Sequence, residues 1–240
     1  GDFVETIEGL FFDVKGLLHP PDRIVAYLRY YPDNRGGRLL GDRRYAKVYD
    51  LLQRDRLLKS RWPHFLYFDT VQGRKLQGVP IGRIAHVHEP TQRLIRLVGS
   101  RRKGALEADA VKLVRALSHK SGLSYDHFGI SGSLLVGLHR PNSDIDVIVY
   151  GAAAARRIQE ALCTLLEESK FFRRHSTADF RTLYANRNLQ YAVGFSDFVR
   201  LERRKVFEGR YMSHKYFIRC VRKWSEVGES YGDAYYRPMG

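Results

Sequence analysis

Residues 129 to 151 read Gly-Ile-Ser-Gly-Ser-Leu-Leu-Val-Gly-Leu-His-Arg-Pro-Asn-Ser-Asp-Ile-Asp-Val-Ile-Val-Tyr-Gly, and they constrain the fold more than any other stretch. Side chains two apart on a strand point the same way, so Asp144 and Asp146 are expected on one face. Ile145, Val147 and Val149 then take the opposite face, which predicts core. Two carboxylates with nothing apolar between them suit a hard cation better than a core. The small-residue turn Gly132-Ser133 precedes a short helical stretch, Leu134 to Leu138. A Gly and Ser turn at a helix start is an anion cradle, because backbone N–H groups point outward there. A cation berth beside a phosphate cradle points to nucleotide chemistry.

Each residue has a candidate role. Gly132 lets the backbone approach phosphate oxygens without a Cβ in the way. Ser133 offers a backbone N–H and a hydroxyl, and it also suits a helix N-cap. Ser143, just before the first Asp, is a further phosphate contact. Arg140, in the loop between helix and strand, is a candidate for the terminal phosphate or an acceptor strand, with a plain surface role as the alternative.

This segment resembles the DNA polymerase β-type nucleotidyltransferase superfamily, on the Gly132-Ser133 turn, the short helix, and Asp144-x-Asp146 opening the next strand. The resemblance implies that the turn holds the triphosphate of an NTP. It implies two Mg²⁺ ions on Asp144 and Asp146, roughly 3.5–4 Å apart as in two-metal sites. A third acid on a later strand would complete the catalytic set. Asp197, 51 residues after Asp146 and flanked by apolar residues, is the candidate, with a helix start as its alternative reading. Asp179 and Glu226 follow it. More widely, the chain resembles an archaeal group of predicted nucleotidyltransferases. That likeness rests on Phe11 to Arg23, Gly209 to Arg219 and Tyr231 to Gly240. Members of the group continue further, so Gly240 is expected to be a truncation or the last ordered residue.

The expected fold class is α+β. Residues 1–98 read as a small N-terminal α+β domain, with a strand over Ile24 to Tyr31 and helical spacing over Tyr45 to Leu58 that directs Val48, Leu51, Leu52 and Leu57 inward. Residues 99–104 form a basic connector. Residues 105–208 are expected to form a polymerase β-like catalytic core, a mixed sheet with helices on one side. Residues 209–240 form a C-terminal segment. Leu106 to His119 and Ala152 to Lys170 carry helical periodicity, Gly122 is a stop signal, and Tyr216 to Val221 reads as a strand.

Charge narrows the partners. Lys and Arg number 41 against 26 acids, a formal net charge of +15, and 30 of the 41 are Arg. Such an excess favours polyanions, and the Arg bias favours bidentate phosphate contacts. A solvated basic surface from an Arg-rich proteome is the plainer alternative. The mixed cluster Arg200, Arg203, Arg204, Lys205 and Arg210 with Tyr211, Tyr216 and Phe217 suits a nucleic-acid strand, cations on phosphates and rings on bases; the alternative makes the rings core and the cations surface. Cys163 and Cys220 lie too far apart in sequence for a zinc motif, and Cys163 is expected in a helix core. Sparse cysteine fits a reducing cytoplasm. No apolar run approaches the ~20 residues of a membrane span.

The sequence therefore predicts a Mg²⁺-dependent nucleotidyltransferase. It would move NMP from an NTP to an acceptor, with an RNA 3′ end favoured by the charge. Modification of a protein or a small molecule are rival reactions. A non-catalytic RNA-binding protein on a decayed nucleotidyltransferase fold is the rival of another class.

Overall fold

Strand formation in the first half follows from dense β-branched and aromatic residues. The longest example, Arg-Ile-Val-Ala-Tyr-Leu-Arg-Tyr-Tyr-Pro, forms a ten-residue strand, Arg23–Pro32. The computed structural model describes residues 1–186 and 193–233. Its elements, in chain order, begin with β1 (Phe3–Thr6), β2 (Phe11–Val14), β3 (Arg23–Pro32), β4 (Arg38–Leu40), β5 (Arg43–Lys47), α1 (Leu51–Arg61), β6 (Leu66–Asp69), β7 (Arg74–Pro80) and β8 (Ile84–His88). They continue with α2 (Pro90–Gly99), α3 (Ala105–Ser121), β9 (Phe128–Ile130), α4 (Gly132–Leu135), β10 (Ile145–Tyr150), α5 (Ala152–Glu168), β11 (Phe172–Arg173), α6 (Thr177–Asn186), α7 (Phe195–Glu202), β12 (Glu208–Tyr211) and β13 (His214–Val221). The protein is α+β.

Two units emerge, and neither is continuous in sequence. The first comprises Gly1–Arg93, Ser131–Arg140 and Arg222–Gly240; the second comprises Leu94–Ile130 and Pro141–Val221.

The first unit is built on an antiparallel sheet ordered β4-β5-β3-β2-β1-β8. β3 is long enough to serve three neighbours: β7 along Arg23 to Val25, β2 along Ala26 to Tyr30, and β5 along Tyr30 to Pro32. β6 continues the pairing from β7. Sharing one strand among several partners curls the sheet around two cores. One joins Val4, Phe12, Leu28, Leu58, Phe65 and Val79. The other joins Phe3, Phe11, Tyr30 and Tyr45 to Leu135, Val136 and Leu138. Fully burying each such side chain contributes roughly 1.5–3 kcal/mol.

Helix α1 departs from the expected pattern. Tyr45 to Lys47 finish β5, and Asp50 sets the helix start by accepting the Gln53 N–H at 2.9 Å. Leu51 and Leu52 are exposed, whereas Val48 is buried and Leu57 packs against the first core as expected, and Arg54 and Leu58 also face inward.

The second unit holds a mixed sheet ordered β11-β12-β13-β10-β9. β10 runs parallel to β13 and antiparallel to β9. Helix α3 starts where the Gly104 N–H donates to Glu107 Oε2 at 3.0 Å. It stops at Gly122, whose φ of 64° lies in the left-handed region that favours glycine. Helices α3 and α5 pack on each other and on β10. Cys163 lies on the exposed side of α5, which corrects its expected core position. No helix among the described residues is long and apolar enough to cross a membrane.

Candidate active site

The alternation at the acid pair is realised. Ile145, Val147 and Val149 are fully buried, and Asp146 is half-buried on the other side of β10. Asp144 is exposed and immediately precedes the first strand residue. Parallel register sets Asp146 beside Phe217, and antiparallel register sets Phe217 beside Glu208. Directly paired residues share a sheet face, so Asp146, Phe217 and Glu208 form one row. At ~4.8 Å per strand, the backbones of Asp146 and Glu208 lie about 10 Å apart. One position before the Ile145–Tyr216 pair, Asp144 is level with Lys215, which pairs with Arg210. The negative charge of Asp144 reaches Arg210 and helps raise that guanidinium's pKa, after the larger effect of Asp179.

Asp179 is committed elsewhere. It is buried at the start of α6 and receives Arg210 Nε on Oδ2 at 2.9 Å and Arg210 Nη2 on Oδ1 at 2.8 Å. The Ser176 backbone N–H and hydroxyl also donate to Oδ2, at 3.0 and 2.9 Å. These donors, Arg210 foremost, hold its carboxyl well below the usual carboxylate range. An acid so occupied makes a structural ion pair rather than a metal ligand.

Asp197 does not lie on a third strand. It occupies the first turn of α7, exposed, with its Oδ1 3.0 Å from Arg200 Nη2. A carboxylate suits a helix N-terminus because the unpaired N–H groups there carry positive partial charge. Glu226 sits in a short 3₁₀ turn, where its Oε2 accepts the Lys223 backbone N–H at 2.9 Å.

The turn residues belong to the first unit. Gly132 has φ of 63°, a left-handed conformation that glycine adopts without strain. Ser133 is buried, and its carbonyl accepts the Leu138 N–H at 3.0 Å. The N-cap of α4 is Ser131, not Ser133. The Ser131 hydroxyl donates to the Gly1 carbonyl. Arg140 Nε and Nη2 both donate to the Gly37 carbonyl, at 3.0 and 2.6 Å. Ser143 is half-buried in the segment leading to Asp144. Chain connectivity links this turn to the acid strand: β9 ends at Ile130, which pairs with Val147, and Ser131 follows at once.

The donor set for a hard cation is thus two carboxylates at the start of β10. Their parallel neighbour β13 offers Lys215, Phe217 and Arg219 at the matching positions, not an acid. Among the described residues, no group of three or more His, Cys, Asp or Glu side chains is arranged to hold a metal ion. Glu208 is the carboxylate that sequence reading missed. Its row with Asp146 arises from the local β12–β13 hairpin together with the long-range β13–β10 pairing.

No protein-family model matches the chain, and no solved structure matches it. The chain is similar to an uncharacterized protein of the archaeon Methanocaldococcus jannaschii. The two are 29% identical over 256 residues, which span all of this chain and 72% of that protein.

Proposed function

We propose that this protein is a Mg²⁺-dependent nucleotidyltransferase that moves NMP from an NTP to an acceptor and releases pyrophosphate. The reading places a polymerase β-like core in the mixed-sheet unit. One observation carries it: the acid pair opens β10, flanked by parallel β13 and by antiparallel β9, and β9 runs straight into the Gly132 turn.

Asp144 and Asp146 would hold the cation, with Glu208 as the nearest further carboxylate in the row. Bound Mg²⁺ supplies charge neutralisation on the triphosphate and acidifies an attacking hydroxyl. Gly132 and the backbone of Ser133 would lie against phosphate oxygens. Ser133 is buried, so the half-buried Gly132 is the better candidate contact. Arg140, already braced by Gly37, would bring a preset guanidinium to an anion rather than a mobile one. The basic surface favours RNA as the acceptor, in a cytoplasmic setting; a protein or small-molecule acceptor uses the same site.

A second reading draws support from β13. Lys215, Phe217 and Arg219 leave no acid on the strand directly beside the pair, which favours nucleotide or RNA binding without turnover. Incubation with labelled NTPs and Mg²⁺ against total RNA, protein and metabolites separates the two. NMP transfer abolished by Asp144→Ala/Asp146→Ala supports the enzyme. Transfer that survives this change overturns the site, and Mg²⁺-independent RNA binding with no transfer favours the second reading.

A further inference from the structure

Cations gather in the first unit at the end of β5 and the start of α1. The Lys47 ammonium lies 4.4 Å from the centre of the Tyr49 ring. Arg54 is buried, at 6% exposure, and its Nη2 donates to the Tyr49 carbonyl at 2.7 Å. Its Nε has no hydrogen-bond partner among the described residues. Burial, then the charges of Arg29 and Arg38, holds the Lys47 ammonium below the ordinary lysine range, although Tyr49 acts against them. Burial and then Arg29 act on Arg54 in the same direction, with Asp13, Asp50 and Asp55 acting against them.

The acids nearby are already engaged. Asp13 serves Lys15 at 2.5 Å and Arg29 at 3.9 Å. Asp50 caps α1, and Asp55 accepts from Gln77 Nε2 at 2.6 Å. A buried guanidinium N–H without an acceptor is costly. Where several cations crowd around one, the cost is relieved by an anion with several acceptor oxygens arriving from outside.

One exposed ring accompanies the cations. Tyr49 is 67% exposed and is followed by Leu51 at 54% and Leu52 at 65%. At the far end of α1, Arg61 lies 4.4 Å from the Trp62 ring and 5.9 Å from that of Tyr31, both of which are partly buried against the core. An acidic protein segment would use the cations and leave the exposed Tyr49 ring idle. Unpaired nucleotides use both, phosphates on cations and bases on rings.

We propose that this part of the first unit binds single-stranded nucleic acid, with phosphates on Lys47 and Arg29, beside the buried charge of Arg54, and a base stacked on Tyr49. The claim does not depend on catalysis. If NMP transfer holds, this is a surface for the acceptor strand.

The test uses the full chain carrying Asp144→Asn/Asp146→Asn, with fluorescence anisotropy of a labelled 12-nucleotide single-stranded RNA. Tyr49→Ala, at a solvent-facing ring, should weaken binding about tenfold, in the range for loss of one stacked base. Lys47→Gln should flatten the slope of log affinity against log salt by about 0.7. Circular dichroism should match the parent in both. Failure of the acid pair to support transfer leaves these outcomes untouched. Parent-like binding in both variants overturns the proposal, as does equal affinity for an RNA duplex or polyglutamate.

Discussion

Arg210 grips Asp179 with two parallel hydrogen bonds, Nε to Oδ2 and Nη2 to Oδ1, tying β12 to the first turn of α6. A two-pronged pair with a buried carboxylate is strong because the fork geometry matches both oxygens. Removing Arg210 takes away both charge-assisted bonds to the buried carboxylate and leaves it Lys215, at 3.4 Å, and the Ser176 donors, a loss of about 3 kcal/mol, the low end for a broken buried pair. Arg210→Ala should therefore lower the unfolding free energy by roughly that amount in urea titration. A change under ~1 kcal/mol, the size of a surface pair, would show that the pair is solvated.

The same carboxylate makes stability depend on acid. Asp179 has its pKa depressed by folding, chiefly through Arg210. Its contribution is complete above the unfolded-state aspartate value of about 3.9 and is lost as pH falls below it. Unfolding free energy followed from pH 6 to pH 2 should drop less steeply in Asp179→Asn than in the parent. Parallel curves would contradict the assignment.

Gly132 tests the turn. At φ of 63°, any side chain with a Cβ is strained by about 1–2 kcal/mol. Gly132→Ala should lower the melting temperature, whereas Gly82→Ala, at an ordinary φ with open space around it, should not.

Glu208 and Asp197 make opposite predictions for catalysis. If the row on the sheet carries the third carboxylate, Glu208→Gln should reduce NMP transfer by about 10²-fold or more, the scale for losing several kcal/mol of charge stabilisation. Asp197→Asn, on an exposed helix start, should change it less than twofold. The reverse pattern in steady-state kinetics would move the site to α7.

Leu138 tests the second core of the first unit. It is fully buried among Phe11, Tyr30 and Tyr45. Leu138→Ala should cost about 2–5 kcal/mol through lost burial and the cavity left behind, read as an earlier urea midpoint with unchanged slope.

What was legible in the sequence was local. The two-residue period from Ile145 to Val149 sets which side chains are buried, so the acid strand could be read directly. Helices α3 and α5 were legible from periodicity, and Gly122 from its stop signal. Helix α1 was misread because Leu51 and Leu52 looked like core. Its start is set by Asp50, and the inward positions are Leu57, as read, with Leu58 and Arg54, whose aliphatic stem can be buried. Asp197 has apolar neighbours that suit a strand and a helix equally, and position near a helix start decided the matter. Glu208 could not be read, because its alignment with Asp146 comes from pairing across three strands. Residues 234–240 of the final resembling block lie outside the described residues.

The decapeptide from Ser131 to Arg140 belongs with a core assembled from Phe3, Phe11, Tyr30 and Tyr45, although its flanking strands β9 and β10 belong to the other unit. The backbone must therefore leave one unit and return to it mid-sequence. Recombinant fragments cut near residue 100 would sever that exchange: the upstream piece would lose three aliphatic plugs, and the downstream piece would display them bare to water. Partial expression of either half should yield material prone to clumping, and supplying both halves together should restore solubility.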